Sequence, residues 1–140
     1  MKPVSNDRKD LFKIRCLIRH PSAQLHTITY GMGHEPDISW EAGSQKKTPT
    51  GRKLDHKNTD TMWTRVFLFP GHRDFFACAK EVVDALIGKR DFITHLLETG
   101  GTIKVIIDVR GSGNSGGMLP VTLMNLISEL GIELGLEVFP

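Results

Sequence analysis

The first apolar segment of the chain alternates with basic residues. Between positions 12 and 19, buried-type residues such as Ile14 and Ile18 exchange with Arg15 and Arg19. A strand with this two-residue period has one apolar face and one polar face. The pattern therefore predicts a half-buried β-strand. The polar residues before it, 1–10, are predicted to be a flexible N-terminus, and 11–140 a single domain.

Other apolar positions recur at intervals of three and four residues, which indicates helices. Leu25, Ile28 and Met32 share one face of a helix predicted over 23–32, and Gly33 is suited to end it because glycine tolerates the left-handed conformation. Three further helices are predicted on the same grounds, over 74–87, from an Asp91 N-cap to Leu97, and over 120–130.

Three more strands are predicted from β-branched and aromatic residues or from alternation, over 61–69, 102–109 and 132–139. The polar segment 34–60 is expected to be a long excursion with one short strand near 38–41. This order favours an α+β, two-layer sandwich with a four- to five-stranded mixed sheet and three to four helices on one face. A doubly wound parallel fold is the alternative, but the first and last strands alternate too strongly for it.

Composition narrows the function classes. The net charge is +2, from 18 basic and 16 acidic residues, so nucleic-acid binding is not expected. The basic cluster at 45–53 is typical of a solvated loop, with a phosphate-binding patch as the alternative. Cys16 and Cys78 lack metal or redox spacing and are expected to be buried. Without a signal-peptide pattern or a long apolar run, we expect a soluble, cytoplasmic protein with no membrane partner.

A glycine-rich loop is the best candidate for chemistry. Residues 111–116 match the G-x-G-x-x-G spacing, follow a predicted strand and precede a helix, as in loops that bind a pyrophosphate. The candidate ligands are Asp108, Arg110, Ser112, Asn114 and Ser115. However, Pro120 starts the helix beyond the last glycine, whereas the dinucleotide fingerprint overlaps its helix. The other interpretation is a plain connection between strand and helix.

No reaction centre is evident elsewhere. The six histidines are scattered without the spacing of a metal site, and no serine lies in a nucleophile motif. We expect no catalytic residue, no metal and no cofactor. Trp40 and Trp63 are candidate interaction residues, although aromatic residues beside strands are typically half-buried core. They are expected to pack near each other.

One series of residues resembles a known family. The series is Ile28-Thr29, Gly33, Pro36, Ser39-Trp40 and Gly43, then Trp63 at the start of a strand, and Leu130-Gly131-Ile132 before an alternating last strand. In order and spacing it resembles the bacterial domain of unknown function 4279 family, over most of residues 12–139. The resemblance implies the fold and a soluble bacterial protein. It implies no catalytic residue, because that family has no established activity.

Two functions follow as expectations. The first is a small non-enzymatic binding or interaction domain, monomeric or homodimeric, with a protein partner as in immunity proteins. Its contact surface would be Trp40, the 44–60 loop or the edge of the final strand. The alternative is a small-molecule, anion or nucleotide-binding protein, enzymatic or not, that uses the 111–117 loop.

Overall fold

The computed structural model describes residues 11–111 and 116–140. The predicted flexible N-terminus lies outside the described residues. The strands are β1 (Leu11–His20), β2 (Ile38–Trp40), β3 (Gln45–Lys47), β4 (Lys53–Lys57), β5 (Thr61–Pro70), β6 (Thr102–Arg110) and β7 (Glu133–Phe139). The helices are α1 (Leu25–Met32), α2 (Phe75–Leu86), α3 (Arg90–Glu98) and α4 (Val121–Leu130), with a 3₁₀ turn at Ile87–Lys89.

Five of the strands form one mixed sheet in the order β2-β5-β1-β6-β7. β1 lies at its centre and pairs antiparallel with β5 and β6, while β2 pairs antiparallel with β5. β7 is the last strand and runs parallel to β6, as expected for two strands joined through the helix α4. The predicted mixed sheet is confirmed, and the parallel alternative is wrong.

The core lies on one side of this sheet. Ile14, Cys16 and Ile18 of β1 are almost fully buried, and the register places Val105 and Ile107 of β6 on the same face. Buried residues of all four helices join these side chains in a single cluster. All helices therefore cover one face, which confirms the two-layer α+β sandwich.

The residues at the helix ends show why most of the predicted helix boundaries are correct and why one of them is wrong. α1 ends at Gly33, whose φ of 76° is left-handed, and α2 begins at Asp74, whose carboxylate accepts from the Phe76 N–H. The predicted N-cap Asp91 instead lies inside α3, which begins at Arg90 directly after the 3₁₀ turn. Asp91 lies in the first turn of α3, where its negative charge interacts favourably with the helix dipole and stabilises the helix.

The segment 34–60 contains more structure than predicted. The expected short strand is present as β2, but β3 and β4 also pair as an antiparallel hairpin. Every residue of these two strands is exposed, so their sequence has no apolar alternation to reveal them. The hairpin has its own small sheet, separate from the five-stranded one.

The contact between α1 and α3 requires a glycine. A Cβ built at Gly31 would lie 2.4 Å from two carbons of the Phe92 ring, whereas one built at Gly88 would meet nothing within 4 Å. Gly31→Ala should therefore destabilise the fold by about 1–3 kcal/mol, because Phe92 must leave its packed position. Gly88→Ala should be neutral or stabilise by up to about 1 kcal/mol. Urea unfolding of both variants measures this, and equal effects would contradict the packing.

A buried histidine fixes the turn between β1 and α1. The Nδ1 atom of His20 accepts from the N–H groups of Ser22 and Ala23, at 3.0 and 2.9 Å. Its Nε2 lies 2.7 Å from the Thr99 hydroxyl oxygen, and that hydroxyl donates to the His95 carbonyl. Nε2 must therefore carry the proton, and the ring is neutral. Burial, followed by the charge of His95, lowers the pKa of His20.

This arrangement predicts a pH dependence of stability. The folded-state pKa of His20 is lowered, so neutral His20 contributes to the free energy of unfolding. This stabilisation is fully present above the unfolded pKa of about 6.5, and it is lost as the pH falls from there through the folded pKa. His20→Asn keeps an acceptor for the turn but does not titrate. Between pH 7.5 and 5.5, wild type should lose more stability than this variant in thermal unfolding. Parallel losses would exclude His20 as the titrating group.

Candidate functional site

The face of the sheet opposite the helices carries a network of charges. Arg15 of β1 donates from Nε to Asp108 Oδ2 at 2.6 Å and from Nη2 to Asp108 Oδ1 at 3.0 Å. The same Nη2 reaches Glu137 Oε2 of β7 at 3.1 Å. These hydrogen bonds, those to Asp108 first, raise the pKa of Arg15. The network joins β1, β6 and β7 across the sheet.

Asp108 is a structural residue within this network. Its side chain is only 3% exposed, and both carboxylate oxygens accept from one guanidinium in the bidentate arrangement that arginine and carboxylates favour. The carboxylate of Asp108, which was predicted to bind a ligand, is thus already engaged by Arg15. Sequence reasoning missed this partner because it lies 93 positions away in the chain.

Trp40 belongs to a second cluster, at the opposite end of the same face. Its Nε1 donates to Asp60 Oδ1 at 3.3 Å, and the Arg19 guanidinium lies 5.6 Å from the ring centre. Arg19 also binds Asp60 Oδ2 at 2.8 Å, and its hydrogen bond is the main cause of the lowered pKa of Asp60. Trp40 is half-buried and held by these contacts.

Trp63 was predicted as a candidate interaction residue. Its ring is part of the core and is therefore not accessible to a partner. It is 1% exposed, and its Nε1 donates to the Thr29 hydroxyl of α1 at 3.2 Å. The prediction that the two tryptophans pack together is also wrong. In the β2–β5 register Trp63 lies opposite Ser39, and Trp40 lies opposite Met62. Successive residues of a strand point to opposite faces, which separates the rings.

Trp40 lies far from Gly111, the described start of the glycine-rich loop. Trp40 aligns across the sheet with Met62, Arg19 and Thr102, at the start of β6. Arg110 is exposed at the other end of β6, eight residues further on, or about 27 Å along the strand. The remaining candidates, Ser112, Asn114 and Ser115, lie outside the described residues. Of the predicted ligands that the structure describes, Asp108 and Arg110 lie together on one face of β6.

The outer edge of β7 presents backbone groups that pair with no other residue that the structure describes. The Gly111 N–H binds the Phe139 carbonyl at 2.7 Å, so Phe139 directs its backbone groups toward β6. These groups alternate in direction along a strand. Those of Glu137, Gly135 and Glu133 therefore also point toward β6, and the N–H and C=O groups of Leu134, Leu136 and Val138 point away from the sheet.

The same three residues carry apolar side chains that the helices cover incompletely. In register with Val105, Ile107 and Val109 of β6, they lie on the helix-covered face. Leu136 is nevertheless 49% exposed and Val138 58% exposed. On the other face, Gly135 leaves a shallow groove of about 290 Å³ between Glu133, Glu137, Lys104 and Ile106.

Helix α4 extends this apolar surface. Its Glu129 reaches Arg90 of α3 at 3.4 Å, which defines the flank that faces the other helices. Met124 and Ile127 lie about 140° and 160° around the helix from Glu129, on the flank turned away from Arg90 of α3. Met124 is 41% exposed. We call Met124, Ile127, Leu134, Leu136 and Val138 the β7 strip.

The β3–β4 hairpin is strongly basic. Positions 45–57 contain five basic residues and one acidic residue, and the register places Lys47 directly opposite Lys53. No ion pair involves these residues within the part of the chain described. The predicted solvated basic loop therefore has the form of an exposed ribbon.

The cysteines and histidines provide no reactive cluster within residues 11–111 and 116–140. Burial raises the pKa of Cys16 to about 12 and also raises the pKa of Cys78, so neither thiol ionises readily. In the same residues, no three His, Cys, Asp or Glu side chains are grouped as a metal ion requires. None of the described helices has the length and apolar character needed to cross a bilayer.

Comparison with protein-family models, curated proteins and solved structures finds no match to this chain.

We call the face of the sheet opposite the helices the helix-free face. Its ion pairs differ in their predicted contribution to stability. Asp108→Asn should destabilise the protein by about 2–4 kcal/mol, because it removes the bidentate, buried anion of the part-buried Arg15 and leaves it only the exposed Glu137. Glu137→Gln should cost less than about 1 kcal/mol, since the Glu137 side chain is 51% exposed. Denaturant unfolding of the two variants provides the comparison, and a similar small cost for both would show that Asp108 is not the anchor.

Proposed function

We propose that this chain is a small non-enzymatic protein-binding domain that pairs an extended segment of its partner with the outer edge of β7. The observation that carries the proposal is the direction of the backbone groups. Leu134, Leu136 and Val138 point their N–H and C=O groups away from the sheet, beside apolar side chains that are already partly exposed. An added strand gains main-chain hydrogen bonds from such an edge and specificity from alternate side-chain pockets.

The unequal edges of the sheet support this proposal. Proteins usually protect an exposed edge with a very short strand, proline or lysine, because an open edge pairs with other chains. The edge strand β2 has only three residues. β7 has seven residues, and none of them is proline or lysine. The two charged residues of β7, Glu133 and Glu137, point their backbone groups inward, whereas the three outward-pointing residues are apolar, and a strand with such an edge is best explained by a partner that covers it.

The charged face supports binding rather than catalysis. The carboxylate of Asp108 and the guanidinium of Arg15 satisfy each other, and Asp60 is engaged by Arg19 and Trp40. These groups hold strands together and offer no free acid or base at the centre of the sheet. Resemblance to the domain of unknown function 4279 family and a role like that of immunity proteins belong to this proposal. Ligand binding at the 111–117 loop stays a separate prediction.

Selection from a displayed library of random ten-residue peptides tests the proposal. Enriched peptides should show alternating apolar positions and should lose binding to Val138→Pro, which removes an outward N–H, and to Leu136→Lys, which places a charge in the strip. The loss should be at least about tenfold. Leu68→Lys is the matched control, because Leu68 is 60% exposed on β5, away from β7.

Failure has two distinct forms. If no peptide is enriched above background, β7 does not accept an added strand. If enriched peptides bind the two β7 variants as well as they bind wild type and the Leu68→Lys control, the binding surface lies elsewhere on the protein. Either result overturns the proposal.

A further inference from the structure

Resting on the proposed function, we infer that the partner at β7 is a second copy of this chain. The two β7 strands pair antiparallel about a twofold axis at Leu136, and the two five-stranded sheets become one sheet of ten strands. Backbone direction, charge and side-chain shape each support this arrangement and fix its register.

Backbone direction limits the pairing to registers in which outward-pointing residues meet. With the axis at Leu136, this residue faces its own copy, and Leu134 faces Val138 of the second copy. All three residues point their N–H and C=O groups outward, so each of these pairs can exchange two hydrogen bonds. All seven residues of β7 then have a partner on the opposing strand.

Charge selects among the registers that backbone direction permits. A twofold axis at Gly135 would place Glu133 directly opposite Glu137 twice, and an axis at Glu137 would place that residue opposite itself. Like charges directly opposite each other destabilise a strand pair. With the axis at Leu136, Glu137 lies opposite Gly135 and Glu133 lies opposite Phe139. Of these three central registers, this one alone avoids opposed glutamates.

The helix-free face gives charge complementarity in the same register. Gly135 has no side chain, and the groove above it is flanked by Lys104. Glu137 of the second copy lies opposite Gly135 and so enters the groove on the side where Lys104 can reach it. Lys104 makes no ion pair among the residues that the structure describes. The pairing therefore brings a second carboxylate to Lys104, which lies opposite Glu133 in the β6–β7 register but forms no ion pair with it, and Glu137 would be shared between its own Arg15 and Lys104 of the second copy.

The helix-covered face gives apolar complementarity. Leu136 meets Leu136, and Leu134 meets the 58%-exposed Val138. Met124 and Ile127 of α4, on the flank turned away from α3, extend the apolar surface in both copies. Burial of these side chains supplies the hydrophobic contribution that main-chain hydrogen bonds lack.

Cysteine cross-linking tests the register directly. Position 136 faces itself at a Cα–Cα distance of about 5.5 Å, which suits a disulfide. Leu136→Cys should form a covalent dimer in a glutathione redox buffer. Gly135→Cys and Glu137→Cys should each form no covalent dimer alone but should cross-link with each other when mixed. Wild type should not cross-link, because Cys16 and Cys78 are buried.

Each single-variant cross-link has a defined meaning. A disulfide of Gly135→Cys with itself, or of Glu137→Cys with itself, would place the axis at that residue and would overturn the Leu136 register. A mixed disulfide between these two variants, together with the self-linked Leu136→Cys dimer, supports it.

Sedimentation equilibrium of the unmodified chain tests the second copy itself. At about 100 µM, wild type and the Leu68→Lys control should have twice the monomer mass of 15.6 kDa. Leu136→Lys should weaken association at least about 100-fold, since two like charges would meet on the axis. A monomer at all concentrations overturns the inference, yet capture of library peptides at β7 would still support the proposed function. A dimer insensitive to Leu136→Lys also overturns it.

Discussion

The structure depends on the two-residue alternation of β1, the central strand of the sheet. On one side Ile14, Cys16 and Ile18 pack with buried residues of all four described helices in a single core. On the other side the same strand carries Arg15 and Arg19 into a face that no described helix covers. The Arg15 side chain is only 24% exposed, so its positive charge is stabilised by an anion nearby. The alternation thus determines both where the core lies and where anions must be placed.

Asp108 and Asp60 supply those anions, and they connect parts of the chain that are distant in sequence. Arg15 joins β1 to β6 and β7, while Arg19 joins β1 to Asp60 and, through it, to Trp40 of β2. Bidentate geometry makes the Arg15–Asp108 pair directional, so it also fixes the register of β6 against β1. The helix-free face is held by cross-strand ion pairs, whereas the other face is held by apolar packing.

Sequence patterns predicted the elements that bury an apolar face. β1, α1 and β6 could be found because one side of each is in the core, so their periodicity is visible. The β3–β4 hairpin could not be found, since all of its residues are exposed and main-chain hydrogen bonds leave no apolar pattern. Asp91 looked like an N-cap because the 3₁₀ turn before α3 has no distinctive sequence.

The candidate site was harder to predict than the fold because it depends on long-range pairing. Sequence alone identified Asp108 as a polar residue near a glycine loop, and it correctly placed an apolar alternation in the last strand. It could not show that Arg15 occupies Asp108, because that contact requires the β1–β6 register. Sequence alone also could not show that Trp40 and Trp63 lie on opposite faces of the sheet, because this follows only from the pairing of β2 with β5.

The edge of β7 follows from the same topology. β7 follows the α4 crossover and lies at the margin of this sheet, and its outward backbone groups belong to the residues whose side chains lie on the helix-covered face. Pairing two such edges removes both of them at once, since a twofold contact uses the same surface on each copy. The margins of the joined sheet would then be the three-residue β2 strands. Because edges this short resist further pairing, the assembly would close at two chains.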